Sequence, residues 1–424
     1  MSRRVPLAMP HALSTARETA EFAMADLFFS RTDRRGVIQS GNDTFQRISG
    51  FEWQDLLGAP HRVVRHPGMP KGVFFMLWAA LKQERPIGAY VVNQTQDGLA
   101  YTVFAVIMPV EDGYLSVRFK PSTDHAVRVK ALYDAVTACE KDGSISAEES
   151  AARLMEGIRD MGFPDYDAFM SGVLVDEMTA RNTHLSRHKL VRLQSLSRVE
   201  QGLACLQVEA QSVRALFAAS SQIPHNLRLQ AARLEGREGP ISVISSNHQR
   251  TADAFEASLG AFLEASTLGA APLREASFLM ATAKLMTEVV ETLDPPGPQS
   301  HARQTEDRSH LVSLAAQYVD RATRAVSDVR RRTDFFERAL QDMQRMVFGL
   351  ELTRTMCSIE QSRATGDTSG LDEIVDKLKQ AEMQLSAIMT RISHAVSDMM
   401  DGAERLSRSA PLCVVSGQAT ETAA

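Results

Sequence analysis

Leu196, Val199, Leu203, Leu206, Ala210, Val213 and Phe217 recur at strictly alternating intervals of three and four residues. That rhythm puts all of them on one stripe of a long helix, and such a stripe must be covered by another helix. Three further seams follow. They are Ile244, Thr251, Phe255 and Phe262; Val329, Phe336, Leu340, Met343, Val347 and Leu350; and Ile374, Leu378, Leu385, Ile388, Ile392 and Val396. Helix-breaking runs separate them at GREGP (236–240), DPPGPQS (294–300) and GDTSG (366–370). A shift of 130 residues lays 226–244 over 356–374, bringing Leu229 onto Ile359, Arg233 onto Arg363, Gly236 onto Gly366 and Ile244 onto Ile374. This reads as a diverged repeat of a helical hairpin, with chance similarity between two amphipathic helix ends as the alternative. Helices of about 50 residues rise about 75 Å, so two such hairpins predict an elongated all-α bundle.

The first third has a different texture. Aromatic residues crowd there and Gly and Pro punctuate short segments. A short strand at Val37–Ile38 precedes the short helices NDTFQRIS and EWQDLL and the longer PKGVFFMLWAALKQ. Strand-like runs IGAYVVNQT, AYTVFAVIMPV and GYLSVRFK then follow, joined through QDG and EDG turns. The order predicts an α+β domain with an antiparallel meander. A net charge of −5 without a Lys/Arg tract argues against nucleic acid. The four cysteines are scattered without metal-site spacing. With no long apolar run or signal-peptide pattern, the reading is a cytoplasmic protein without membrane insertion.

Within the first third, NDTF (42–45), SGF (49–51) and above all LGAPHRVVRHPGMP (57–70), followed by a helix bearing Trp78, resemble the PAS domain of bacterial aerotaxis receptors. The likeness covers about residues 28–137, a quarter of the chain. It implies a five-stranded antiparallel sheet flanked by helices that holds FAD noncovalently, and it carries over Asn42, His61, Arg65, His66, Trp78 and Asn93 as flavin-pocket candidates. The residue types suit that ligand. Arg65 offers a planar donor fork, Pro67 and Pro70 hold the connector off a helical path, and Trp78 with Phe74, Leu77 and Leu81 makes an apolar wall for a flat ring. Gly68 replaces the family's usual aspartate, Met76 a common acidic residue, and Ile87 and Thr102 tryptophans. The plainer reading keeps Trp78 as core packing and Arg65 with His66 as a surface pair. His61 and His66 on a Pro-bounded loop form no axial-ligand motif, so haem is not expected.

NLRLQAARLEGREGPISVIS (226–245) resembles the cytoplasmic tip of methyl-accepting chemotaxis receptors, through Asn226, Gln230, Ala231, Ala232, Arg233, Gly239 and Val243. In that family the tip binds the chemotaxis adaptor and a histidine kinase, which the resemblance implies as partners beside other receptors. A tight helical turn explains Gly236, Gly239 and Pro240 equally well. The expected domains are a helical extension (1–27), the PAS sensor (28–121), a helical linker (122–175), two hairpins (176–293 and 301–410) and a disordered tail (411–424). No P-loop, cyclic-dinucleotide motif or nucleophile elbow is present, so no enzyme activity is expected. The leading reading is a redox or oxygen sensor in energy taxis. The alternative is a cofactor-free PAS scaffold that binds receptors, and either form could dimerise through its PAS domain and helices.

Overall fold

The structure, a computed structural model, describes residues 19–143, 145–220, 222–234, 239–293, 302–363 and 369–408. It divides into two compact units, Met1–Gly162 with Val289–Ser309, and Phe163–Glu288 with His310–Ala424.

The first unit contains the expected five-stranded antiparallel sheet, in the order β2-β1-β5-β4-β3. Its strands are β1 (Leu27–Asp33), β2 (Ile38–Gly41), β3 (Ile87–Gln94), β4 (Ala100–Val110) and β5 (Gly113–Phe119). The β1–β2 turn forms because Asp33 Oδ1 accepts from the amides of Arg35 and Val37 while Gly36 takes a left-handed φ of +79°. Between β2 and β3 lie α1 (Asp43–Ser49), α2 (Trp53–Leu56), a 3-10 turn at His61–Val64 and α3 (Lys71–Lys82). Strand alternation gives the sheet two faces. Phe104, Phe119 and Tyr90 pack on one face. The other carries a mixed row of polar and apolar side chains that builds the site below.

Two expectations about this unit change. Residues 19–27 are not helical before β1. Thr19 bridges to Ala100 and the Phe22 ring meets Phe28 and Tyr101, so tertiary pairing overrides the local helical pattern; residues 1–18 lie outside the described residues. Nor is 122–175 a linker. Helices α4 (Asp124–Lys141) and α5 (Ala147–Asp160) belong to the sheet unit. Tyr133 Oη donates to the Tyr90 carbonyl, the Lys71 amide donates to Glu140, and the Gly72 amide donates to Ser150 Oγ. Glu140 and Ser150 thereby satisfy orphan donors at the start of α3, where an anionic group is also favoured by the helix dipole. Ser146 starts α5 with a capping box to Glu149.

The second unit is helical, and α6 (Tyr166–His184) runs across the expected boundary at 175. The Leu196–Phe217 seam lies on α7 (Val191–Ser220), whose main contact is α11 (Ser369–Arg408) of the same chain. The approach is close where Gly202 faces Met399 and Gly402 faces Val199. Helices α8 (Ile223–Leu234), α9 (Pro240–Thr292) and α10 (Ala302–Arg363) complete the set. Phe217 stacks on Phe255 at 4.7 Å, Phe262 meets Phe336 at 5.0 Å, and Arg354 pairs with Glu382 at 2.6 Å. The α7–α8 break was not expected. Pro224 cannot donate an amide hydrogen to the preceding turn, and the chain restarts as α8. Near the hairpin ends, Leu227, Ile241 and Ile244 share one core with Cys357, Leu371 and Ile374. The expected tail at 411–424 lies outside the described residues.

Candidate functional site

Period-two alternation places Ser30 and Thr32 of β1, Tyr114, Ser116 and Arg118 of β5, Ala105 and Ile107 of β4, and Val91 and Asn93 of β3 on one face of the sheet, as the strand registers confirm. Helix α3 and the 57–70 connector cover that face. They enclose a cavity of about 460 Å³, within the usual range for cofactor and small-ligand sites.

His61, Arg65, Trp78 and Asn93, all singled out from the sequence, line this cavity. Arg65 reaches it because its backbone bridges to Asn93 while the His66 amide donates to the Val92 carbonyl. The VVRHPGMP run is therefore a strap alongside β3. Val64 and Met69 are its buried anchors. The Arg65 guanidinium lies 3.6 Å over the Phe74 ring and donates to the Met69 carbonyl; its pKa is lowered by burial, which the nearby Glu140 carboxylate partly opposes. Trp78 meets Tyr114 edge-on at 5.6 Å and lies against Gly36.

The structure places the other two candidates away from the cavity wall. Asn42 is structural: its side chain accepts from the amides of Phe29 and Phe45 and donates to the Leu27 carbonyl, capping α1 and tying it to β1. His66 turns its Nδ1 to the Gly68 amide. A Cβ at Gly68 would lie 3.0 Å from that nitrogen, so the glycine and this histidine rotamer fit each other.

Sequence reading missed Arg118, a buried cation on the cavity wall. It is 3% exposed, and its Nη2 donates to Ser30 Oγ at 2.5 Å and to His61 Nε2 at 2.6 Å. Both partners are neutral: His61, stacked on Phe45, has its pKa lowered to about 3 by burial and by the Arg118 charge. Accepting at Nε2 puts the His61 proton on Nδ1. Burial also lowers Arg118 to about 10. Among the described residues, its Nη1 and the hydroxyl of Ser116 have no protein partner. A guanidinium without a counter-ion beside an open volume favours a ligand with anionic or carbonyl oxygens. The signal was legible in GYLSVRF, where Tyr114, Ser116 and Arg118 alternate with Leu115, Val117 and Phe119.

Among the described residues, no group of His, Cys, Asp and Glu is arranged to hold a metal ion, and no helix is long and apolar enough to cross a membrane.

No protein-family profile matches the chain. Over 114 residues, 26% of its length, it is 38% identical to the aerotaxis receptor of Escherichia coli K12, of which this covers 22%. Over 113 residues it is 30% identical to the nitrogen fixation regulatory protein of Klebsiella pneumoniae, covering 23% of it. The chain thus spans about a quarter of these curated relatives. Among solved structures, it is similar to a light-oxygen-voltage domain studied with a flavin analogue, at 21% identity and a TM-score of 0.23, covering 25% of this chain and 86% of that one. It is also similar to the light-state LOV domain of the blue-light photoreceptor Aureochrome1, at 18% identity and a TM-score of 0.23, covering 28% and 97%.

Proposed function

We propose, from the premise that the N-terminal unit is a PAS sensor domain similar to that of the aerotaxis receptor, that this cavity holds FAD and that the chain is a non-enzymatic redox or oxygen sensor of the energy-taxis kind. The observation that carries the reading is Arg118, a buried cation with neutral partners and a free donor on the cavity wall. The residues fit the group. Arg118 and Ser116 offer unpartnered donors to ring oxygens, Asn93 adds an amide, and Trp78 with the Arg65–Phe74 stack supplies flat apolar surface.

Bound there, FAD would supply a reversible redox centre whose charge changes with its oxidation state. The protein's part is to register that change. Ser30 and His61 orient the Arg118 guanidinium, so a stronger pull on Nη1 alters what Nη2 gives to β1. One residue along β1, Arg31 points to the opposite face and pairs with Asp112 at 3.1 Å and Asp307 at 2.9 Å. Asp307 stands near the start of α10, a helix of 62 residues. Because α10 runs on in sequence into the helical part, a change at the cavity would bias that part, whose affinity for a chemotaxis adaptor and histidine kinase, or for other receptors, would differ between the two states. The same reading places the protein in the cytoplasm, with homodimerisation through PAS and helices as its assembly.

The test is the visible spectrum of protein purified from cells, before and after denaturation, for the wild type and an Arg65→Ala, Trp78→Ala variant. Flavin bands near one equivalent, released on denaturation and absent from the variant, are expected. A protein that stays colourless after incubation with excess FAD refutes the cofactor reading and leaves a cofactor-free scaffold, the reading that Gly68, Met76, Ile87 and Thr102 favour.

A further inference from the structure

A second cavity, of about 430 Å³, lies within the helical unit where α7 gives way to α8. Its apolar wall includes Phe217, Leu350, Leu378 and Leu385. Two polar side chains on this wall, one buried and one half-buried, are incompletely satisfied among the described residues. His248 is 7% exposed and its Nδ1 has no partner. Glu382, whose side chain is 11% exposed, gives one carboxylate oxygen to Arg354 at 2.6 Å while its Oε1 has none. Leaving such groups unpaired is unfavourable, and a cavity of this size beside them is the setting in which a ligand supplies the missing partners.

The lining also fixes the sign of charge. Asp253 and Glu256 sit on α9 one turn apart, and with Glu382 they set three carboxylates against two cations, Arg214 on the wall and Arg354 paired with Glu382. Burial raises the pKa of the Glu382 carboxyl, with Arg354 opposing and the Glu351 charge adding to the rise. We infer that this cavity is a binding site for a small organic amine with an apolar, ring-sized body, its ammonium donating to Glu382 Oε1 and its body lying against Phe217 and the leucines. The neutral ring of His248 would take a further donor or acceptor of the ligand, according to its tautomer. The site shares no residue with the PAS cavity, so its ligand is a second input to the same chain. By joining α9 to α11 beside the α7–α8 break, it would favour one packing of these helices over others.

The test uses the full chain and three probes of nearly one shape: tryptamine, tryptophol and indole-3-acetate. Binding is followed by calorimetry and by saturation-transfer NMR into the low millimolar range. Tryptamine should bind saturably, tryptophol about tenfold more weakly or worse for want of the charge-assisted hydrogen bond, and indole-3-acetate not at all. Glu382→Gln should weaken tryptamine by about tenfold or more. Ala252→Phe, which fills the cavity but leaves the Glu382–Arg354 pair intact, should abolish binding, with helical circular dichroism confirming that each variant is folded. Equal binding of the three probes, absence of saturable tryptamine binding, or tryptamine binding that survives both substitutions overturns the inference.

Discussion

Replacing Arg118 by methionine should separate what this side chain does for stability from what it does for binding. Its pKa falls from an ordinary 12.5 to about 10. At about 1.4 kcal/mol for each tenfold change in proton affinity, holding the charge inside the folded domain costs about 3 kcal/mol. Methionine keeps most of the apolar volume and removes that cost. It also removes the hydrogen bonds to Ser30 and His61, each worth about 1.5 kcal/mol, but Ser30 Oγ already lies 3.5 Å from His61 Nε2 and the two can pair directly. These effects nearly cancel, so the ligand-free variant should lie within about 1 kcal/mol of the wild type, whereas breaking a compensated buried ion pair costs about 3–5 kcal/mol. Affinity for FAD should instead fall by tenfold or more, the worth of a charge-assisted hydrogen bond at a buried site. The chain's two tryptophans, Trp53 and Trp78, both lie in the N-terminal unit, so tryptophan-detected urea unfolding reports on that unit, and flavin titration gives the affinity. A ligand-free variant weakened by 3 kcal/mol or more, or one that keeps wild-type FAD affinity, would refute the argument that Arg118 is an uncompensated charge kept for a ligand.

Two further outcomes follow from the same geometry. His61 is held at about 3, below its ordinary 6.5; between those values the unfolded chain takes up a proton that the folded chain refuses, so its stabilising contribution is complete above about pH 6.5 and is lost as pH falls, by up to about 1.4 kcal/mol per pH unit. Urea midpoints from about pH 7 to pH 4 should therefore drop less steeply in His61→Asn than in the wild type, and parallel curves would show that His61 is not buried as described. At the α7–α11 contact, a Cβ on Gly402 would lie 2.8 Å from Val199 Cγ2 and 3.1 Å from the Ser195 carbonyl, so Gly402→Val should cost about 1–3 kcal/mol by overpacking; an unchanged midpoint of helix unfolding by circular dichroism would place these helices farther apart.

Seams with a strict three–four rhythm need no tertiary information to be read as helices. The stripe from Leu196 to Phe217 required a partner, and the breaker runs DPPGPQS and GDTSG marked where α9 and α10 stop, although no run marked the end of α7 at Ser220. The strap at 63–70 was legible for a similar reason: two prolines exclude a helix, and Arg65 and Trp78 then stand out as side chains delivered to one place. Which helix would cover the first seam was not legible, because α9, α10 and α11 all offer apolar stripes. Only packing selected α11, through the small residues Gly202 and Gly402. The same limit applied to α4 and α5, whose attachment to the sheet unit rests on Glu140 and Ser150 reaching the start of α3, a contact about 70 residues away in sequence. Asn42 and His66 have side chains as suited to a ligand as to a backbone amide, and the fold assigned both to the backbone. Arg118 shows the reverse. Local pattern marks it as one polar residue on an alternating strand, and its meaning arises only when the sheet closes under α3 and leaves a buried cation with Ser30, His61 and, among the described residues, no carboxylate for company. Sequence periodicity decides which face of an element is buried; the charges a cavity gathers depend on which faces meet.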